Sequence, residues 1–259
     1  MTRDPSRSTS DGIRITWGSV RQSLTRPYRV TIPMILLVSL VPFYLVIAGR
    51  ARGSAVHAPE LALDHLLPLI PTWALVYGAL YLFLIVLPVL VVQQEEMIRS
   101  TVWAYLTVWT VSYTCFLLYP TFAPRPDKVM GNSFAVWGLK FLYGADPPYN
   151  CFPSLHVAHS FVSALACYRV HRTLGLVAMS CASLVAISTL LTKQHYVADV
   201  VAGIFLAWVV YAVFLRNYSR ANIPELHRCL APVLALCVSG IAGLGFACFW
   251  VAYQLKGLW

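Results

Sequence analysis

Three short polar stretches hold the residues able to do chemistry: Arg125 in APRPDK, Ser154 and His156 in FPSLH, and Lys193, His195 and Asp199 in TKQHYVAD. A histidine and an aspartate four apart stand one above the other wherever a helix starts at that point. The carboxylate then holds one ring nitrogen of His195, fixes its tautomer and leaves the other lone pair free to attack an electrophile. His156 supplies a second imidazole, suited to protonating a departing alkoxide. Pro153 ends a loop and lets a helix begin behind it, so the first N–H groups of that helix, with the Ser154 hydroxyl, make an anion site. Arg125 and Lys193 add positive charge, the guanidinium as a planar fork matched to phosphate oxygens. The chemistry these types suggest is attack by an imidazole on phosphorus.

The elements that must position these residues are set by hydropathy. Of 259 residues, 59% are hydrophobic and 11% charged, and the mean hydropathy is +0.68. Those values fall outside the range of ordinary soluble domains. A bilayer core asks for about 20 consecutive apolar residues per helical span, and the chain offers runs at 28–49, 72–92, 101–122, 154–170, 174–192, 197–215 and 230–255. The prediction is an all-α, polytopic transmembrane helical bundle of six core spans plus a seventh C-terminal span. Residues 1–27 form a tail and 28–255 a single catalytic domain. The first apolar run is too long for the core of a signal peptide and is read as a retained span. The seven cysteines are scattered mostly inside spans without paired spacing, as small apolar packing residues are. No internal repeat is visible.

Basic residues accumulate on the cytoplasmic side of membrane proteins. Alternating spans put twelve Arg residues with the tail and seven Lys or Arg residues opposite, so the N-terminus is placed in the cytoplasm of a plasma (inner) membrane. In the tail, Ile13, Trp17, Val20 and Leu24 share one helical face and suit a helix lying on anionic lipid. The net charge of +9 does not argue for nucleic acid, because the basic residues form no dense run with interleaved aromatics. Two passages separate the loop at 123–153 from the break at 193–196, so both emerge on the outer face and bring the three polar stretches together. Residues 132–145 read as an amphipathic helix over that face, either a staple for a long loop or a lid.

The three stretches resemble the motifs of the type 2 phosphatidic acid phosphatase superfamily, which shares its site with vanadium haloperoxidases. Arg125-Pro126 follows the third span, Pro153-Ser154-Leu155-His156 opens the fourth, and His195 with Asp199 opens the sixth, in the family's order. The resemblance implies an integral membrane phosphatase or phosphotransferase acting on a lipid-linked phosphate, with no cofactor and no metal. It implies that His195 forms a phosphohistidine, Asp199 orients it, His156 protonates the leaving group, and Arg125 and Ser154 hold phosphate. Two cations of the family pattern are absent: Leu118 stands seven before Arg125, and Thr189 six before His195, after a matching Ser188. Lys193 and Lys128 are the candidates to restore that charge. Leu155 replaces the usual glycine, and FPSLH with KQHYVAD is similar to the branch of inositol phosphotransferases and inositol phosphorylceramide synthases.

Other readings compete at particular residues. A polar cluster that only ties helices together explains less than three motifs in order do. His159, one turn beyond His156, invites a metal site but belongs to no metal-ligand pair and is expected to pack. Ser154 as the nucleophile of an intramembrane protease leaves the cations unexplained. Cys151 is expected only to pack, Asp127 and Asp146 to be solvated, and Tyr77 and Tyr81 to form interface belts or helix contacts. The rival from another class is a transporter using His156, His195 and Asp199 as a proton relay, whose polar residues would continue through the spans. Substrate lipid and bilayer are the partners implied; no protein partner is indicated.

Overall fold

The computed structural model describes residues 15–24, 41–53, 55–126 and 129–255. Lys128 and Asp127, Ile13, and most of the predicted first span lie outside the described residues. The described chain is an all-α, polytopic helical bundle. Its helices are α1 (Trp17–Leu24), α2 (Val41–Ala51), α3 (Trp73–Val91), α4 (Glu95–Leu118), α5 (Phe134–Ala145), α6 (Leu155–Val170), α7 (Arg172–Leu191), α8 (Val197–Val210) and α9 (Glu225–Leu255). A π-helical turn, Tyr211–Leu215, continues α8. Among the described residues, five segments are long and apolar enough to cross a membrane: α3, α4, α7, α9, and α8 with its π turn.

The helix at the centre is not one of those five. α6 has 16 residues, about 24 Å at 1.5 Å per residue, yet it packs on α3, α4, α7 and α8. Ala158, Ser160, Ser163, Ala164, Ala166 and Cys167 are buried on it, and small side chains of this kind let neighbouring backbones come close where lipid supplies no hydrophobic drive. One close approach is to α8. A Cβ on Gly203 would lie 2.6 Å from the Ser154 carbonyl oxygen and 3.3 Å from Val157 Cβ. The Ser154 N–H donates to the Asp199 carbonyl at 3.0 Å. The start of α6 is thereby fixed against the first turn of α8.

Helix ends follow local chemistry, and here the expected bounds shift. The third span, expected at 101–122, is Glu95–Leu118. Glu95 and Glu96 in its first turn favour an early start, and Pro120 drives Tyr119 out of the helical region. The last span begins at Glu225 rather than 230. At α7's C-terminus, Lys193 takes φ 55°, and its N–H donates to Leu190 O at 3.1 Å while that of Gln194 donates to Thr189 O at 2.9 Å. This left-handed position after a helix usually belongs to glycine, and a side chain there costs about 1 kcal/mol.

At the other end of the bundle Arg169 Nη2 donates to the Tyr218 carbonyl, and Arg220 Nε to the Arg169 carbonyl at 3.1 Å. These bonds tie the α6–α7 junction to the chain that follows α8. On α1, Val20 is buried and Trp17 exposed.

Candidate active site

The site is built where α6 and α8 begin and α7 ends. His195 directs Nδ1 at Asp199 Oδ2, 3.3 Å away, and Nε2 at His156 Nδ1, also 3.3 Å away. The two imidazoles and the carboxylate thus form one chain of contacts. Asp199 is fully buried, and its Oδ2 also accepts the Tyr196 N–H at 2.9 Å. A buried carboxylate with these donors keeps the neighbouring imidazole in one orientation. The other ring is held by aromatic edges: Tyr77 and Tyr81 of α3 stand perpendicular to His156 with centroids at 5.7 and 5.2 Å. Of the two expectations for these tyrosines, helix contact is the one observed.

A cavity of about 370 Å³ opens in front of His195, with Arg125, Lys193, Glu60, Asp64 and His65 in its walls. Arg125 comes from the loop after α4, which is tied down by bridges between His57 and Thr121 and between Phe122 and Tyr149. Its Nη1 donates to the carbonyls of Tyr143 at 2.9 Å and Asp146 at 2.6 Å, and the guanidinium carbon lies 4.5 Å from the Tyr143 ring centroid. Its Nε has no protein partner. Asp146 Oδ2 is 3.8 Å from Arg125 Nη2, with that side chain only 14% exposed, and its Oδ1 accepts the Tyr44 hydroxyl at 2.7 Å. The expectation that Asp146 is solvated is therefore overturned: it faces inward because it balances Arg125. Tyr143 closes the same corner, its hydroxyl donating to Thr192 O at 2.6 Å. Burial pushes that phenol up to about 12 against the opposing pull of Arg125, so it remains a donor.

Lys193 Nζ donates to the Asp64 carbonyl at 3.1 Å. Asp64 itself is a site-building residue that the sequence did not flag. Its Oδ1 accepts the Val197 N–H and its Oδ2 the Leu61 N–H, at 2.9 and 2.8 Å, and it caps α8 from 133 residues away in the chain. Ser154 is fully buried and does not line the cavity. Its Oγ accepts the Val157 N–H at 3.4 Å, the N-cap geometry, and its hydroxyl hydrogen stays free to donate. At the two positions where the family pattern has cations, Leu118 is 79% exposed and Thr189 fully buried, Thr189 Oγ1 being bonded to Ala186 O at 2.8 Å.

His159 is not drawn into the cluster. Its ring is wedged between Tyr105 and Trp109, with centroids at 5.2 and 5.1 Å, as expected for packing. Cys151 is. Its sulfur and ligand atoms of His195 and Asp199 all lie within 4.8 Å of one another. α5 fulfils the expectation of an amphipathic helix: it starts at the Ser133 cap, and Phe134 and Trp137 pack on Phe246, Phe249, Trp250 and Tyr253 of α9.

Comparison with known proteins decides the family. The model of the PAP2 superfamily matches residues 57–213, a stretch that contains every site residue named above except Tyr44. The chain belongs to the PAP2 superfamily. Among its relatives is a PA-phosphatase related-family protein of Dictyostelium discoideum, 22% identical over 142 residues covering 51% of this chain and 25% of that protein. Another is an uncharacterised protein of Methanocaldococcus jannaschii, 35% identical over 65 residues, or 25% of this chain and 26% of that one. The chain thus spans about a quarter of the length of these curated relatives. No solved structure matches it. Membership of the PAP2 superfamily supports a phosphatase-type activity at a membrane.

Proposed function

We propose that the protein is an integral membrane phosphatase or phosphotransferase that takes a phosphoryl group from a lipid-linked phosphate through a phosphohistidine on His195. The observation that carries this reading is the chain His156–His195–Asp199, with both contacts at 3.3 Å. Asp199 holds the Nδ1 proton and leaves the lone pair on His195 Nε2, which faces His156 Nδ1 at rest and meets phosphorus once the bound phosphate parts the two rings. Attack forms the N–P bond and breaks the bond to the leaving alkoxide. His156, charged once the anionic phosphate sits beside it, gives its proton to that alkoxide and becomes neutral. In the second half an acceptor hydroxyl, of water or of an alcohol, loses its proton to His156 as its oxygen takes the phosphoryl group, and both rings are restored. Arg125, Lys193, the Ser154 hydroxyl and the N–H groups opening α6 stabilise charge on the equatorial oxygens, where phosphoryl transfer gains most of its rate. Lys128 is proposed as a further phosphate-binding cation.

The cavity carries Glu60 and His65 beyond the cations, polar groups suited to a head group rather than to an acyl chain. His156, His195 and Asp199 all lie at one end of the bundle, whereas a proton-relay transporter needs ionisable groups along its length. The test is to incubate purified protein with labelled lipid phosphates and phosphodiesters, with and without an alcohol acceptor. Release of phosphate or of a transferred product, lost in His195→Ala, supports the reading. Activity towards the panel that is the same in His195→Ala as in the parent refutes it.

A further inference from the structure

We propose that Cys151, His195 and Asp199 form a binding site for a thiophilic divalent cation such as Zn²⁺, and that filling it arrests the enzyme. A thiol, an imidazole and a carboxylate whose ligand atoms all lie within 4.8 Å of one another make a mixed S, N and O donor set. Such a set suits Zn²⁺ or Co²⁺ and not Mg²⁺ or Ca²⁺. A second observation points the same way. Asp199 Oδ1 is a fully buried carboxylate oxygen without a hydrogen-bond partner, a costly arrangement unless something binds it.

The cysteine is held in place by backbone, not by chance packing. Thr121 Oγ1 accepts the N–H groups of Cys151 and Phe152 at 2.8 and 3.1 Å, and the thiol leans on the Pro148 carbonyl at 3.6 Å. A tetrahedral ion with bonds of about 2.0–2.3 Å needs ligands about 3.3–3.8 Å apart. Nδ1 of His195 and Oδ2 of Asp199 already meet that at 3.3 Å, and the Cys151 sulfur closes in from within 4.8 Å when the ion binds. Because His195 also lines the cavity, the fourth position is left to water or to a phosphate oxygen.

Burial, with Asp199 and Asp146 adding to it, pushes the Cys151 thiol well above its usual range, so the resting thiol is protonated and the ion must displace that proton. The ion forms bonds to Sγ, Nδ1 and a carboxylate oxygen. The proton formerly on Nδ1 moves through solvent to Nε2, and no electrons change hands. Nε2 is the nitrogen assigned to attack, so a filled site leaves His195 without its nucleophilic lone pair. The arrest therefore rests on the proposed function, whereas the binding does not.

The experiment is a Co²⁺ titration of the purified protein followed by thiolate-to-cobalt charge-transfer absorption, beside Zn²⁺ inhibition of turnover. Cys151→Ser and Cys151→Ala serve as paired variants, so that one folding poorly does not void the test. The expected result is a one-to-one absorption signal in the parent, its loss in both variants, unchanged turnover without metal, and at least ~10-fold weaker inhibition by Zn²⁺. A signal retained in the variants, no signal in the parent, or equal inhibition of parent and variants would overturn the proposal. Undiminished turnover in His195→Ala overturns the functional reading instead and leaves the cobalt titration to judge the metal site by itself.

Discussion

At the scale of single residues, the proposed reaction puts all the covalent chemistry on His195 and the proton on His156. Replacing either with alanine is expected to lower turnover by about a hundredfold or more while the protein still elutes as a folded species; a turnover assay with size-exclusion chromatography checks both. Lys193 offers a sharper test, because it keeps φ 55° where glycine would be unstrained. Lys193→Gly is expected to leave the unfolding temperature level or higher and to cut turnover by about tenfold or more, since a cation beside phosphate is lost. A residue kept only for structure would show the reverse. Chelators are expected to leave turnover undiminished and vanadate to inhibit, as assays of lipid phosphate hydrolysis can show. His156, His195, Asp199, Arg125 and Lys193 were legible in the sequence because their types and spacing suit one reaction. Asp64, Asp146 and Tyr143 were not. Their partners Val197, Arg125 and Thr192 lie far along the chain, and an acidic or aromatic loop residue looks the same whether it meets solvent or a guanidinium.

At the scale of elements, the site depends on α6 and α8 starting in register. Gly203 is where that register is set, and Gly203→Ala would push a methyl into the Ser154 carbonyl. The expected cost is about 1–3 kcal/mol, read as a lower unfolding temperature, together with lost turnover because Ser154 and Asp199 separate. Spans were legible from apolar runs, but their ends moved wherever an acidic first turn or a proline decided the boundary, as at Glu95 and Pro120. The central role of α6 was harder to see. Its alanines and serines lower its hydropathy, and they are the very residues that let four helices close around it.

At the scale of the whole molecule, the chemistry gathers at one end of the bundle while Arg169, Arg172, Arg216 and Arg220 gather near the other end of α6, α7 and α8. Under the positive-inside rule, this supports the proposal that the catalytic end faces outward. A membrane-impermeant phosphate substrate is expected to be turned over by intact cells at the same rate as by permeabilised ones; turnover appearing only after permeabilisation would reverse the orientation. The central claim is that the two imidazoles act on one phosphorus atom. The most direct measurement is to mix enzyme with ³²P-labelled lipid phosphate, quench within a turnover, and map the label by peptide mass spectrometry. An acid-labile, alkali-stable phosphate on His195, absent from His195→Ala, is the predicted result. A label on any other residue, or none while turnover proceeds, would contradict it.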